Sequence, residues 1–518
     1  MHGSDSGADD RVVVDGGTLT IWSVVRVARE GAKTALGEEA RKRLESSRSA
    51  LERLVESGAT IYGVNTGVGD LVDVKIPHED LKSLQINLLR SHACGVGESY
   101  PTEVVRAMML LRANALAKGY SGIRPDVVDK LLEMLNSGVH PRIPRQGSVG
   151  SSGDLTMLAH LGLAMIGEGE ADSGSGMENA AKALGRKGVA PLALAPKEAL
   201  SIVNGTQAMT ALGSLAVVDA ATIADHAQLA AAMSLEALKG TSSAFDMRIS
   251  QVRPHSGQLR VSKNMLSLLQ GSEILLSHKH CSKVQDAYTL RCIPQVIGAS
   301  IEAIWYAGDV VNVEINSATD NPLFFPEDGT VVSGGNFHGQ PVALAMDFLG
   351  LAVHELGSFS ERRVARLVDH KLSGLPSFLT RHGGVSSGMM VPQYVAASIV
   401  SENKILVHPA SADSIPTSAN QEDHNSMGTI AGWKARKIVE NVNRVLAIEF
   451  LVAAQGLDFI SATSSPVIEG VKSALRSEVP RLEEDRPMSW DIDKIAEMIS
   501  KGVFLHSVEK MSNFQRTL

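Results

Sequence analysis

Apolar positions recur at helical spacing, with no interrupting proline, from about Gln207 to Lys239 and again through Val342–Val368 and Thr429–Gln455. That pattern predicts long helices with broad buried faces. Pro341 fits the first turn of the second, where a helix loses no backbone donor. Between the helical stretches run glycine-rich or polar loops: Val64–Gly69, Arg145–Gly153, Asn316–Gly335, Gly383–Gly388 and Ser411–His424. Strand-like pieces are few and short, such as Val12–Val14 and Thr330–Val332. The chain therefore reads as mainly α, with a long helical bundle at its centre. Residues 1–10 form a loose tail, 11–200 a smaller N-terminal part and 201–518 the bundle with C-terminal helices. No fixed-period repeat or low-complexity linker is visible.

Composition narrows the function. The 518 residues, 44% hydrophobic and 20% charged, supply ample material for a large core. A net charge of -8 with scattered basic residues offers no field for nucleic acid. The first ten residues are polar and acidic, without the apolar core of a secretion signal. The most apolar stretches, such as Pro341–Leu356, which is interrupted by Asp347, His354 and Glu355, fall short of the roughly 18 uninterrupted apolar residues of a membrane span. A cytoplasmic protein without a membrane segment is expected. Cys94, Cys281 and Cys292 have no CxxC partner and no histidine cluster, so they read as reduced and structural, with no metal site.

The loops hold the unusual chemistry. Residues 147–155 read Gly-Ser-Val-Gly-Ser-Ser-Gly-Asp-Leu. Without a Cβ, Gly153 could press its amide nitrogen against the carbonyl carbon of Ser151. Ring closure and loss of two waters, one carrying the Ser152 hydroxyl, would leave a methylidene-imidazolone, with Asp154 placed to polarise those groups. The competing reading is a turn capping the helix that begins near Leu155.

Tyr62, in Ile61-Tyr-Gly-Val-Asn-Thr-Gly-Val-Gly69, could act as a base if its ordinary pKa near 10 fell, or could simply pack. His92 runs into the glycine loop Cys94–Gly97. Gln285, Tyr288 and Arg291, three residues apart, would share one helical face, where the guanidinium could bind a carboxylate or sit in an internal ion pair. Phe337 lies in a glycine-flanked loop, where core packing is the usual role. Glu422, in the polar run Pro416–His424, could accept a hydrogen bond from an imidazole or remain solvated.

Together these segments resemble the ammonia-lyase family that makes its own methylidene-imidazolone, over about Val12 to Glu509 and with seven separated motifs in order. Ser91-His92 and Glu422 match its histidine-acting branch. The resemblance implies an ammonia-lyase/fumarase-like fold, a carbon-nitrogen lyase, and elimination of ammonia from L-histidine to give trans-urocanate. It implies that Ser151, Ser152 and Gly153 form the electrophile, with no diffusible cofactor, and that Tyr62 removes the β-proton. Asn204 and Tyr288 would hold the ring and the amine, and Arg291 the carboxylate. His92 and Glu422 would recognise the imidazole, with Phe337 beside it and Gln285 in support. A homotetramer whose sites draw on several subunits follows from the same resemblance.

Several positions depart from the family pattern. Ser151 stands for the usual alanine, Met157 and Ala287 for prolines, Val68 for phenylalanine and Gln340 for glutamate. Competing readings are a lyase or aminomutase of another aromatic amino acid, a prosthetic-group-free elimination from a histidine betaine, and a catalytically silent assembly protein. A fumarase-like lyase is a further neighbour, but its Gly-Ser-Ser-x-Met-Pro loop is missing.

Overall fold

A computed structural model describes residues 11–279 and 283–518 of the chain. The expected tail at 1–10 and the reading of Cys281 as a reduced thiol lie outside the described residues. Cys94 and Cys292 are free thiols, and no group of three or more metal-ligating side chains gathers among the described residues.

Long helices dominate. Gln207–Ala237, Gln340–Val368 and Gly428–Leu457 occupy the stretches where apolar spacing places them. A fourth, Ile293–Glu314, is hidden in the sequence by Pro294, two glycines and many β-branched residues. Pro294 is harmless because it sits in the first turn. Helices Gln207–Ala237 and Gln340–Val368 are long and apolar enough to cross a membrane by length and composition, yet their most apolar windows are 89% and 56% buried within the protein. Packing against other helices accounts for that apolarity.

The strands are short and paired locally. Val12–Val14 lies parallel to Thr34–Leu36, and Leu323–Phe325 pairs antiparallel with Thr330–Val332. Val96–Ser99 pairs with Pro144–Gln146, and His140–Pro141, Glu170–Asp172 and Met177–Asn179 form a three-stranded sheet. Strands of two to four residues carry too little alternation to be read from the sequence.

Two compact units divide the chain. One takes the described residues up to Leu215 together with Gly308–Met346 and Pro409–Trp433. The other takes Ala216–Ala307, Asp347–His408 and Lys434–Leu518. This partition differs from the linear division at residue 200, because the long helices carry the chain out of the first unit and back into it.

In the first unit, helix Thr102–Ala117 is buried along almost its whole length and packs against Ile21–Arg29 and Pro125–Ser137. Thr20 and Ser23 close a capping box at the start of Ile21–Arg29. In the second unit, the fully buried Arg363 grips Glu449 through two hydrogen bonds of 2.6 and 2.8 Å, and Ser234 donates to the same carboxylate at 2.6 Å. This contact sets the register of three long helices more than it adds net stability.

Candidate active site

The loop before helix Leu155–Met165 owes its shape to glycine. Gly153 has φ +76°, and a Cβ there would lie 2.1 Å from the carbonyl oxygen of Gly205. The Asp154 N–H donates to that same oxygen at 2.7 Å. Only glycine fits this left-handed, closely apposed position.

Asp154 is fully buried, and its side chain does not cap its own helix. Its carboxylate accepts from the Ala208 and Met209 N–H groups at 2.8 and 2.9 Å, from Ser148 Oγ at 3.1 Å and from Thr429 Oγ1. Asp154 thereby anchors the loop on the N-terminus of helix Gln207–Ala237, where the helix dipole favours an anion. The capping role read from sequence gives way to this anchor, because the first-turn donors of Gln207–Ala237 need an acceptor. Burial raises the Asp154 carboxyl above its usual range, and the four hydrogen bonds oppose it.

Against this loop opens a cavity of about 1140 Å³ whose wall includes Tyr62, His92, Ser151, Ser152, Asn204, Phe337 and Glu422. Ser152 Oγ donates to Glu422 Oε1 at 3.3 Å across 270 residues of sequence, and Thr417 Oγ1 donates to Oε2 at 2.7 Å. Tyr62 Oη accepts the Gly69 N–H at 3.0 Å. Burial pushes the Tyr62 phenol above its ordinary pKa, the Gly69 hydrogen bond pulls it back, and Glu422 pushes it up again. The fall needed for a base at neutral pH is not supplied by these neighbours. His92 ends helix Leu81–His92, its Nδ1 3.0 Å from Ser91 Oγ. Burial lowers its pKa, opposed by a Leu88 hydrogen bond and by Glu422.

Gln285, Tyr288 and Arg291 belong to the second unit, and none lines this cavity. Tyr288–Arg291 makes a single helical turn with Ala287 as its N-cap, so Gln285 lies in the preceding loop rather than on a shared helical face. The Arg291 guanidinium sits 4.5 Å over the Tyr288 ring, and its Nε is buried without a hydrogen-bond partner among the described residues.

The cavity also takes Asn321, His338 and His424, which sequence reasoning did not select. His338 adjoins Phe337, and His424 closes the polar run of Glu422, so both stood beside residues already singled out. Their rings stack at 5.8 Å and 4°. Gln340 N–H donates to His338 Nδ1 at 3.3 Å, which leaves Nε2 to donate to the His424 carbonyl at 3.2 Å. That bond ties the Phe337 loop to the Glu422 loop. Of the departing positions, Val68 lines the cavity, while Met157 is buried in the core.

The segment fits the proposed cyclisation. Gly153 has a left-handed backbone and no Cβ, so its amide can approach groups that a larger residue would crowd. Asn204 is 3% exposed, and its Oδ1 is buried without a partner among the described residues, an open acceptor in the wall that also holds Ser151 and Ser152.

Comparison with known proteins identifies the family. The model of the aromatic amino acid lyase family matches residues 19–477. The histidine ammonia-lyase of Alkaliphilus oremlandii is 50% identical over 508 residues, 98% of this chain and all of that relative. The crystal structure of histidine ammonia-lyase from Trypanosoma cruzi superposes with a TM-score of 0.91 at 45% identity, covering 97% of this chain and 96% of that one. Tyrosine aminomutase from Streptomyces globisporus gives a TM-score of 0.92 at 38% identity, over 98% of this chain and 100% of the other.

Proposed function

The chain belongs to the aromatic amino acid lyase family, and on that premise we propose that it is a carbon-nitrogen lyase that eliminates ammonia from L-histidine to give trans-urocanate. The observation that carries the reading is the meeting of Ser152, Glu422 and His92 in one cavity with Tyr62. An imidazole N–H matches a carboxylate acceptor, and His92, kept toward its neutral form by burial, can exchange a hydrogen bond with the other ring nitrogen.

A methylidene-imidazolone closed from Ser151, Ser152 and Gly153 would supply the electrophile that takes up the amine and makes it a better leaving group. With the Ser152 hydroxyl given up to such a group, Glu422 Oε1, which accepts from it here, would be open to the substrate ring. Asn204 holds the amine, Phe337 lies against the imidazole, and Tyr62 takes the β-proton. Among the described residues the cavity wall contains neither lysine nor arginine, so a substrate carboxylate needs a cation from elsewhere. Arg291 of a second copy, with Tyr288 and Gln285, would provide it in a cytoplasmic homotetramer. The same cation would favour the ionised phenol of Tyr62.

An aminomutase or lyase of another aromatic amino acid is the second reading, suggested by the fold likeness to tyrosine aminomutase. Glu422 weighs against phenylalanine, since an unsubstituted benzene ring gives this half-buried carboxylate no hydrogen to accept, whereas a tyrosine phenol would donate to it and is separated from histidine by the assay. Urocanate absorbance on incubation with L-histidine, with phenylalanine and tyrosine in parallel, tests the choice. Urocanate from histidine alone sustains the proposal, and turnover of another amino acid alone overturns it. Ser152→Ala should abolish deamination and leave assembly intact on a sizing column, and because alanine has no hydroxyl to eliminate, its chain should not show the full mass loss of two waters expected of the native chain.

A further inference from the structure

We propose that Lys197 and Asp320 are positioning residues for this reaction, a buried ion pair that holds Asn204 and Asn321 at the cavity wall. The inference rests on the lyase reading above and deepens it. The Asp320 carboxylate stands between two sets of donors. Its Oδ1 accepts from Asn204 Nδ2 at 3.3 Å and from the Asn321 N–H at 2.7 Å. Its Oδ2 accepts from Lys197 Nζ and Ser201 Oγ, each at 3.0 Å. The two asparagines line the cavity, whereas Lys197, Ser201 and Asp320 do not. One oxygen thus serves the site and the other serves the anchor.

The anchor is dry. The side chains of Lys197 and Asp320 are each 2% exposed, so their attraction is little screened by solvent. Burial pushes the Lys197 ammonium toward its neutral form, and the adjacent carboxylate opposes that. Lys197 has φ +78°, a strained conformation for a side chain-bearing residue, which the ion pair helps to hold. The fully buried Arg112 braces the same cluster through Gln207 Oε1 at 2.7 Å and the Ser201 carbonyl.

This arrangement also orients the Asn204 amide. Both groups facing Nδ2, Asp320 Oδ1 and the Asn321 carbonyl at 3.0 Å, are acceptors. The NH2 must therefore point toward them, which leaves Oδ1 as the open acceptor. Loss of Asp320 or of its Lys197 partner would free the amide to rotate and the 320–321 turn to shift, with little effect on the imidazole-recognition side of the cavity.

The test is a set of double-mutant cycles on the full-length enzyme. Lys197→Met, Asp320→Asn and Ser201→Ala are made in the native and the Asn204→Ser backgrounds, and ammonia release from L-histidine is followed with circular dichroism as the check on folding. Lys197→Met and Asp320→Asn should each lower kcat about 100-fold with KM within about threefold, and Ser201→Ala, which strands no charge, should lower kcat about fivefold. In the Asn204→Ser background each loss should shrink to about threefold or less, because the residue being positioned is already gone. Equal losses in both backgrounds, or full kcat in Lys197→Met, overturn the proposal. If the charge variants do not fold, the Ser201→Ala cycle decides alone. A native enzyme silent on L-histidine overturns the lyase reading itself, and this inference falls with it.

Discussion

Gly153 is irreplaceable on two separate grounds, its left-handed backbone and its contact with Gly205. In Gly153→Ala the new methyl would lie 2.1 Å from a carbonyl oxygen, which the loop cannot relieve without moving. We expect a destabilisation of about 2 kcal/mol or more together with loss of deamination, read by denaturant unfolding and by urocanate formation. Glu422 is the residue that divides the histidine reading from its rival. Glu422→Gln keeps the size of the side chain and offers a donor where an imidazole N–H needs an acceptor. It should lower kcat/KM for L-histidine about 100-fold, roughly 3 kcal/mol of lost recognition, and leave the fold unchanged. An unaltered kcat/KM would remove Glu422 from substrate recognition. The motifs that hold these residues were legible because each is a local string. The contact of Ser152 with Glu422 was not, since no local pattern encodes a pairing across 270 positions.

Helices carry a pH dependence of their own. His226, within Gln207–Ala237, is fully buried against Phe450 and Phe504, with ring centroids at 6.3 and 6.0 Å, and its Nδ1 lies 2.7 Å from the Thr222 carbonyl oxygen. Burial pushes its pKa down to about 4. The unfolded chain binds a proton on this ring near pH 6.5 and the folded chain does not until about 4, so this contribution is complete above pH 6.5 and is lost as pH falls to about 4. The loss amounts to about 3 kcal/mol. Asp225, which accepts two hydrogen bonds from Thr517 and is held near pH 7 by burial, acts in the opposite sense as pH rises from about 4 to 7. Comparing His226→Phe with the native chain isolates the histidine. Unfolding titrations between pH 4 and 6.5 should show a flatter stability profile in the variant, and an unchanged slope would contradict the assignment.

The element scale also shows where sequence pattern runs out. Three long helices announce themselves by period. Ile293–Glu314 does not, since Pro294 in its first turn, Gly298 and Gly308 and its many β-branched residues blur the helical signal in the sequence. The short strands pair because loops bring them together, and three residues of alternation carry no recognisable signal.

At the scale of the whole molecule, the proposed reading asks a second copy to complete the site. Among the described residues the cavity has carboxylates and histidines but no arginine or lysine in its wall, while Tyr288 and Arg291 sit together in the other unit. If a second copy closes the site, two different defects should complement. Ser152→Ala and Arg291→Met chains, each inactive alone, should recover part of the native activity when refolded together, because some sites then receive an intact loop and an intact arginine. Mixed assemblies that stay as inactive as either parent would place Arg291 outside the site.

The sequence by itself determined the class of fold and the reactive strings, because helical period, glycine backbone freedom and the chemistry of a Ser-Ser-Gly run all act over a few neighbouring residues. The tertiary structure decided the rest. It turned Asp154 from capping its own helix to anchoring another, set Glu422 against Ser152, placed Gln285 off the helical turn of Tyr288 and Arg291, and buried Lys197 and Asp320 behind Asn204. Each of these outcomes depends on which distant group satisfies a buried donor, acceptor or charge. That choice is made only when the whole chain has packed.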